Sequence, residues 1–310
     1  MPGYGHDVTP VRPRAVGDDH CPRTIDAWRP PLKAMDAPVV PRSGELDGSP
    51  FVRSLRIQRC DDRNDLRLDA SGLGAGAGRI GALAAAAVLA ARSRMAQWQL
   101  HHGMERSRPV SVQIALFGQP ARTGTFHLST AMARRSEGRG FCDVRIAEGG
   151  GRRAGQATVV LAAGLGASSR EAADLPGPPA PTAAGVCSAG TDSLATRGMA
   201  LEAVGNGAAV VLMPPIANNL DADGRVHEGA VLALIDAAGT HAISAAATGP
   251  VSRTVAVSLH ASVLRPLSNG ALSAYSVVRA CDGLSAWCDI EVVGLADRQL
   301  YGIGTVVALI

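Results

Sequence analysis

Four separate pieces of this 310-residue chain recur at almost the same distance, and that regularity limits the fold more than anything else in it. Phe141-Cys-Asp-Val-Arg-Ile146 matches Trp287-Cys-Asp-Ile-Glu-Val292 at an offset of 146. Val110-Ser-Val-Gln-Ile114 matches Val255-Ala-Val-Ser-Leu259 at 145, and Thr158-Val-Val160 matches Thr305-Val-Val307 at 147. Arg79-Ile-Gly81 falls opposite His227-Glu-Gly229 at 148. A near-constant offset over four pieces marks an internal duplication. Each copy has the length of an ordinary domain.

Within the second copy, a polar, turn-rich lead (Asn218, Asn219, Asp221, Asp223, Gly224) runs into His227-Glu228-Gly229 and an apolar segment. Val231, Leu234, Ile235, Ala238 and Ala242 follow helical spacing, so the segment reads as a buried helix. Asp236 lies inside it. A carboxylate among Val, Leu, Ile and Ala is costly to bury unless partnered, and burial raises its pKa. Thr240, four residues on, shares its face.

The order Asn, short Gly-bearing turn, His-x-Gly, then an acid nine residues after the His resembles the hot-dog-fold thioesterases, in particular the PaaI-like acyl-CoA thioesterases. Thr254, followed by an alternating strand to Arg265-Pro266, extends the resemblance, which covers about residues 200–310. It implies an α+β chain of two tandem hot-dog domains, each a curved antiparallel sheet around one long helix. It also implies hydrolysis of a CoA thioester without metal or organic cofactor, and homodimers of such chains. Asp236 is then general base or nucleophile, Thr240 and Thr254 its hydroxyl partners, and His227 an orienting residue. Asn219, or Asn218 beside it, would polarise the carbonyl, and Arg265 would line the substrate path. The amides of Glu228 and Gly229 head a helix, where unpaired donors and the dipole favour an oxyanion. Glu228 departs from the family, which has Gly there. In paired hot dogs the acid of one unit often works with the helix start of the other, which would put Ile80 and Gly81 beside Asp236. Both pairings stay open at this point.

The offset of 148 sets Val88 opposite Asp236 and Arg79 opposite His227, so the first copy lacks the acid and one working site per chain is expected. Two other functions fit the same residues: a non-catalytic acyl-CoA or acyl-carrier binding protein, and a hot-dog hydratase or dehydratase. The second needs a His opposite the acid across the substrate path, which this spacing fits less well.

Along the chain, residues 1–45 hold eight of the 19 prolines and show no periodicity, which suggests a disordered arm. Residues 46–162 form the N-terminal domain and 199–310 the C-terminal one. Residues 163–198, with Leu175-Pro-Gly-Pro-Pro-Ala-Pro181, form a linker. Strands are expected near 110–117, 125–133, 141–147 and 156–162, with an alanine-rich helix over 81–97. Gly76-Ala-Gly78-Arg-Ile-Gly81 matches a dinucleotide fingerprint, but the charged stretch before it is not a buried parallel strand, so it reads as a loop entering the helix.

Only 3% of residues are aromatic although 46% are hydrophobic, so Ala, Gly, Val and Leu must build the core. The net charge of +3 is spread without a basic block, which argues against nucleic-acid binding. Six cysteines lack C-x-x-C spacing, which argues against a zinc or redox site. No uninterrupted apolar run reaches the ~18 residues of a membrane span and no signal-peptide layout is present, so a cytoplasmic protein is expected.

Overall fold

The computed structural model describes residues 49–60, 65–73, 77–99, 107–119, 124–136, 138–162, 192–247 and 254–310. The arm at 1–45 and the Pro-rich part of the linker lie outside them. In the first half, α1 (Pro50–Ser54) precedes β1 (Ile57–Arg59), β2 (Leu66–Asp69), α2 (Arg79–Gln99), β3 (Arg108–Leu116), β4 (Thr125–Ser136), β5 (Arg139–Glu148) and β6 (Arg153–Ala162). In the second, α3 (Asp192–Thr196) precedes β7 (Ala200–Gly205), β8 (Ala208–Met213), α4 (Glu228–Ala246), β9 (Val255–Val263), β10 (Leu272–Cys281), β11 (Ser285–Gly294) and β12 (Leu300–Leu309). Short 3-10 turns at Ala70–Leu73 and Ala217–Asn219 lead towards α2 and α4.

The described strands make one antiparallel sheet in the order β1-β2-β4-β5-β6-β3-β9-β12-β11-β10-β8-β7. Its first six strands come from the first half and its last six from the second. The seam is the pairing of β3 with β9, from Ser111 against Ser262 to Ala115 against Ser258.

The duplication reaches the level of register. Cys142 pairs with Val159, and Cys288 with Val306. Thr158 Oγ1 donates to Asp143 Oδ1 (3.0 Å), and Thr305 Oγ1 to Asp289 Oδ1 (3.3 Å). The β4–β5 register shifts between Met132 and Arg134, and the β10–β11 register between Val278 and Ala280. Bulges at matching places bend both halves alike.

Each long helix packs mainly on the strands of its own half, and α2 also touches β9 across the seam. α4 touches β7 to β12, and all its residues from Gly229 to Ser244 are buried, so the sheet must curve round it. Its length and hydropathy would suffice to cross a membrane, but it is the core helix here. The two helices also pack on each other, and small residues set how closely. A Cβ on Gly81 would lie 2.7 Å from Ala233 Cα, and one on Gly229 would lie 2.8 Å from Ala85 Cβ. These are the same contact seen from the two halves, since both pairs obey the 148-residue offset. Ala82 to Ala91, seven Ala in ten residues and all buried, is the stretch of α2 that makes this approach possible. The burial of so many small side chains compensates for the scarcity of aromatics.

Candidate active site

Asp236 lies midway along α4 and is 1% exposed. Its Oδ2 accepts the N–H of Gly81, 155 residues earlier in the chain, at 3.0 Å. Its Oδ1 accepts the Thr240 hydroxyl at 3.1 Å. The carboxylate of one half thus faces the first turn of the other half's helix, where unpaired amides and the helix dipole favour negative charge. Gly78, at φ 97°, makes the left-handed turn that starts α2. Burial is the strongest influence on Asp236 and pushes its pKa up to about 6 from 3.8. Gly81, then Thr240, then the amides of Ile80 and Gly78, work against that rise and do not cancel it. A carboxylate with a pKa close to neutrality can take a proton from water and give it up again.

Glycine at 81 is required by this arrangement. A Cβ there would stand 2.5 Å from the backbone oxygen of Leu232. Any side chain separates α2 from α4, and with it the amide from the acid.

The other sequence-predicted residues gather elsewhere. His227 is the N-cap of α4, its Nδ1 accepting the Gly229 N–H at 2.9 Å. It precedes Asp236 by nine residues, which at the helical rise is ~13 Å along the axis. Asn219 is fully buried, and its Nδ2 donates to the carbonyls of Arg197 and Pro214, both at 2.8 Å. Asn218 donates to the carbonyl of Thr196 at 2.9 Å. Glu228 pairs with Arg92 of α2 at 2.8 Å. Burial is the strongest single influence on Glu228 and opposes its charge, but Arg92, His227 and a backbone amide together outweigh it and hold the carboxyl below its usual range. Thr254 is half-buried just before β9 and is not among the donors to Asp236. Arg265 donates to Gln299 at 2.6 Å and lies over the Tyr301 ring at 5.9 Å, in a separate surface group.

Gly229, His227, Glu228, Asn219 and Asn218 therefore belong to a second helix start, related to the Asp236 region by the duplication. There Val88 stands in the acid's place and Arg92, at the 148-residue offset, in the place of Thr240. Arg92 explains Glu228: the residue that departs from the family is matched by a cation in the other half.

Three members of this second cluster escaped the sequence reading: Arg92, Arg197 and Phe51. The Phe51 ring stacks on His227 at 4.3 Å and 12°, and the Arg197 guanidinium covers it at 4.5 Å. Arg197 is 6% exposed and its Nη1 donates to the Asn218 carbonyl at 2.9 Å. Burial lowers its pKa to about 10, which still leaves it charged at neutral pH. In a chain with so few aromatics, Phe51 was the available signal. Since it is fully buried between two polar groups, Phe51→Ala is expected to cost about 3–5 kcal/mol of stability in urea unfolding. A loss below about 1 kcal/mol would show that the ring does not fill this space.

No protein-family model matches the sequence, and no curated protein matches it. Solved structures do. An acyl-CoA thioesterase II, TesB2, from Mycobacterium marinum is 10% identical, with a TM-score of 0.58 over 84% of this chain and 96% of that one. A tesB protein from Mycobacterium avium subs paratuberculosis is 14% identical, with a TM-score of 0.60 over 84% and 97%. A protein with a hot-dog fold from Alicyclobacillus acidocaldarius is 16% identical, with a TM-score of 0.57 over 84% and 97%. The chain shares with these structures the hot-dog fold, a large antiparallel sheet with few helices. At such identities the likeness is one of fold.

Proposed function

We propose that this chain is an acyl-CoA thioesterase built of two tandem hot-dog domains, 46–162 and 199–310, with one working site. The observation that carries the reading is Asp236 itself, a buried carboxylate between Thr240 and the first turn of α2. A soluble structural helix gains nothing from a charge so placed. In the proposed reaction Asp236 is the general base. It takes a proton from water, the water oxygen bonds to the acyl carbon, the C–S bond breaks, and the thiolate leaves and is protonated. The Gly81 amide at the start of α2 is bound to the Asp236 carboxylate, so this helix start holds and orients the base. The names of the fold neighbours, acyl-CoA thioesterase II and tesB protein, agree with this reading. The second cluster, with Val88, the Arg92–Glu228 pair and Phe51, is a structural counterpart without hydrolytic activity.

The pH profile tests the assignment. The base must be ionised, so kcat/KM should rise with pH and level off above about 6, falling about tenfold per unit below it. A profile flat from pH 5 to 8 would remove Asp236 from the role of base.

A further inference from the structure

Beside the turn Ala70–Leu73, which precedes the Asp236 donors in the sequence, lies a surface cleft of about 490 Å³. Arg53, Arg56 and Arg67 line it with Asp69, Gln58 and Thr125. Three guanidinium groups face one carboxylate. That carboxylate is already engaged, since Asp69 Oδ1 accepts the Ser71 N–H at 2.8 Å. Arg56 Nη1 donates to Ser71 Oγ at 3.2 Å, which fixes one guanidinium at the cleft wall. Arg53 and Arg67 make no ion pair among the described residues, and both are exposed. The result is a concave site with excess positive charge, within the size range of small-molecule sites.

We propose that this cleft takes the phosphorylated nucleotide end of a CoA thioester. The inference rests on the thioesterase reading and deepens it, for it names free CoA esters, not acyl groups carried on a protein, as substrates. Chain geometry allows it. Ser71, which is bound to Arg56 of the cleft wall, and Gly78 are seven positions apart, so they lie within ~25 Å of each other. The long two-amide arm of CoA holds thioester and phosphates apart on a similar scale. Guanidinium forks match phosphate oxygens in geometry as well as charge. Concavity favours the nucleotide over an acidic carrier protein, which would need a broad, open basic face.

The test is titration calorimetry of the full chain with adenosine 3′,5′-bisphosphate, the nucleotide end of CoA without its arm. Wild type and Arg53→Ala/Arg67→Ala are compared, and inorganic phosphate is titrated in parallel. Wild type should bind the nucleotide more tightly than phosphate. The double variant, with an unchanged melting temperature because both side chains are exposed, should bind it roughly tenfold or more weakly, in line with the loss of charged hydrogen bonds. Raising the salt concentration should narrow that gap. Nucleotide binding no tighter than phosphate, or equal in both proteins, would overturn the inference. So would arginine-dependent capture of an acyl carrier protein without nucleotide binding. The titration needs no turnover. Arginine-dependent nucleotide binding in a chain that hydrolyses nothing would sink the thioesterase reading alone.

Discussion

Asp236→Asn should lose thioester turnover by roughly a thousandfold, the scale of a removed general base, and yet melt at a higher temperature at pH 8. The two effects have one cause. The folded pKa of Asp236, about 6, lies above its unfolded value near 3.8. The folded state therefore holds the proton more tightly. The stability linked to it is fully present below about pH 4 and lost as pH rises through 6. Asparagine has no proton to lose and keeps both contacts: its oxygen can accept from Gly81, and its NH2 can donate to the Thr240 oxygen. The gain at pH 8 should be on the order of 1–3 kcal/mol, since a shift of about two units sets the upper end. It should vanish near pH 4. Melting curves of both proteins at the two pH values, with activity at pH 8, check this. An Asn variant that is active, or equally stabilised at both pH values, contradicts the placement of a strained, functional charge.

The second large effect is expected at Gly81. In Gly81→Ala the new Cβ meets Leu232 O at 2.5 Å and Ala233 Cα at 2.7 Å. Both are backbone atoms of a buried helix and cannot rotate aside, so α2 and α4 must part. Overpacking of this kind costs about 1–3 kcal/mol. Activity should fall further than stability, by roughly a hundredfold or more, because the amide that holds Asp236 moves with the helix. Gly149→Ala is the control. Its Cβ would find nothing closer than Thr125 Oγ1 at 3.4 Å, so stability and turnover should hardly change. Measuring turnover on protein shown to be folded separates the two consequences. Full activity in Gly81→Ala would mean that the helix start does not serve the acid.

Much of the fold was legible because it is written twice. The alternation in β3, β5, β9 and β11 and the recurring Cys-Asp and Thr-Val-Val pieces place strands on one face of one sheet. The structure repeats even their Thr–Asp hydrogen bonds. Asp236 was legible for the opposite reason: it breaks the pattern of its helix. Three short elements, α1, α3 and β7, were not. α1 and α3 are single turns held by tertiary contacts, and α3 with Arg197 falls inside the stretch read as linker. β7 is a short edge strand of half-buried residues without clear alternation. The division of the helix starts was also out of reach of local reasoning. A His, a Glu and a Gly next to one another at 227–229 suggest one site with Asp236, whereas Asp236 takes its donor from position 81 and Glu228 takes its cation from position 92. Only the folded contact between α2 and α4 pairs acid with amide across the duplication. The offset of 148, applied to Thr240, would have pointed to Arg92 in advance.

We propose Asp236, midway along α4 and held by the first turn of α2, as the base that hydrolyses acyl-CoA thioesters. The most direct measurement is free-thiol release from short-chain, long-chain and aryl CoA esters at pH 8, with wild type and Asp236→Asn side by side. Release by wild type from at least one ester, lost in the variant while the variant remains folded, is the predicted result. Equal release by both proteins, or none by wild type from any ester, would contradict it.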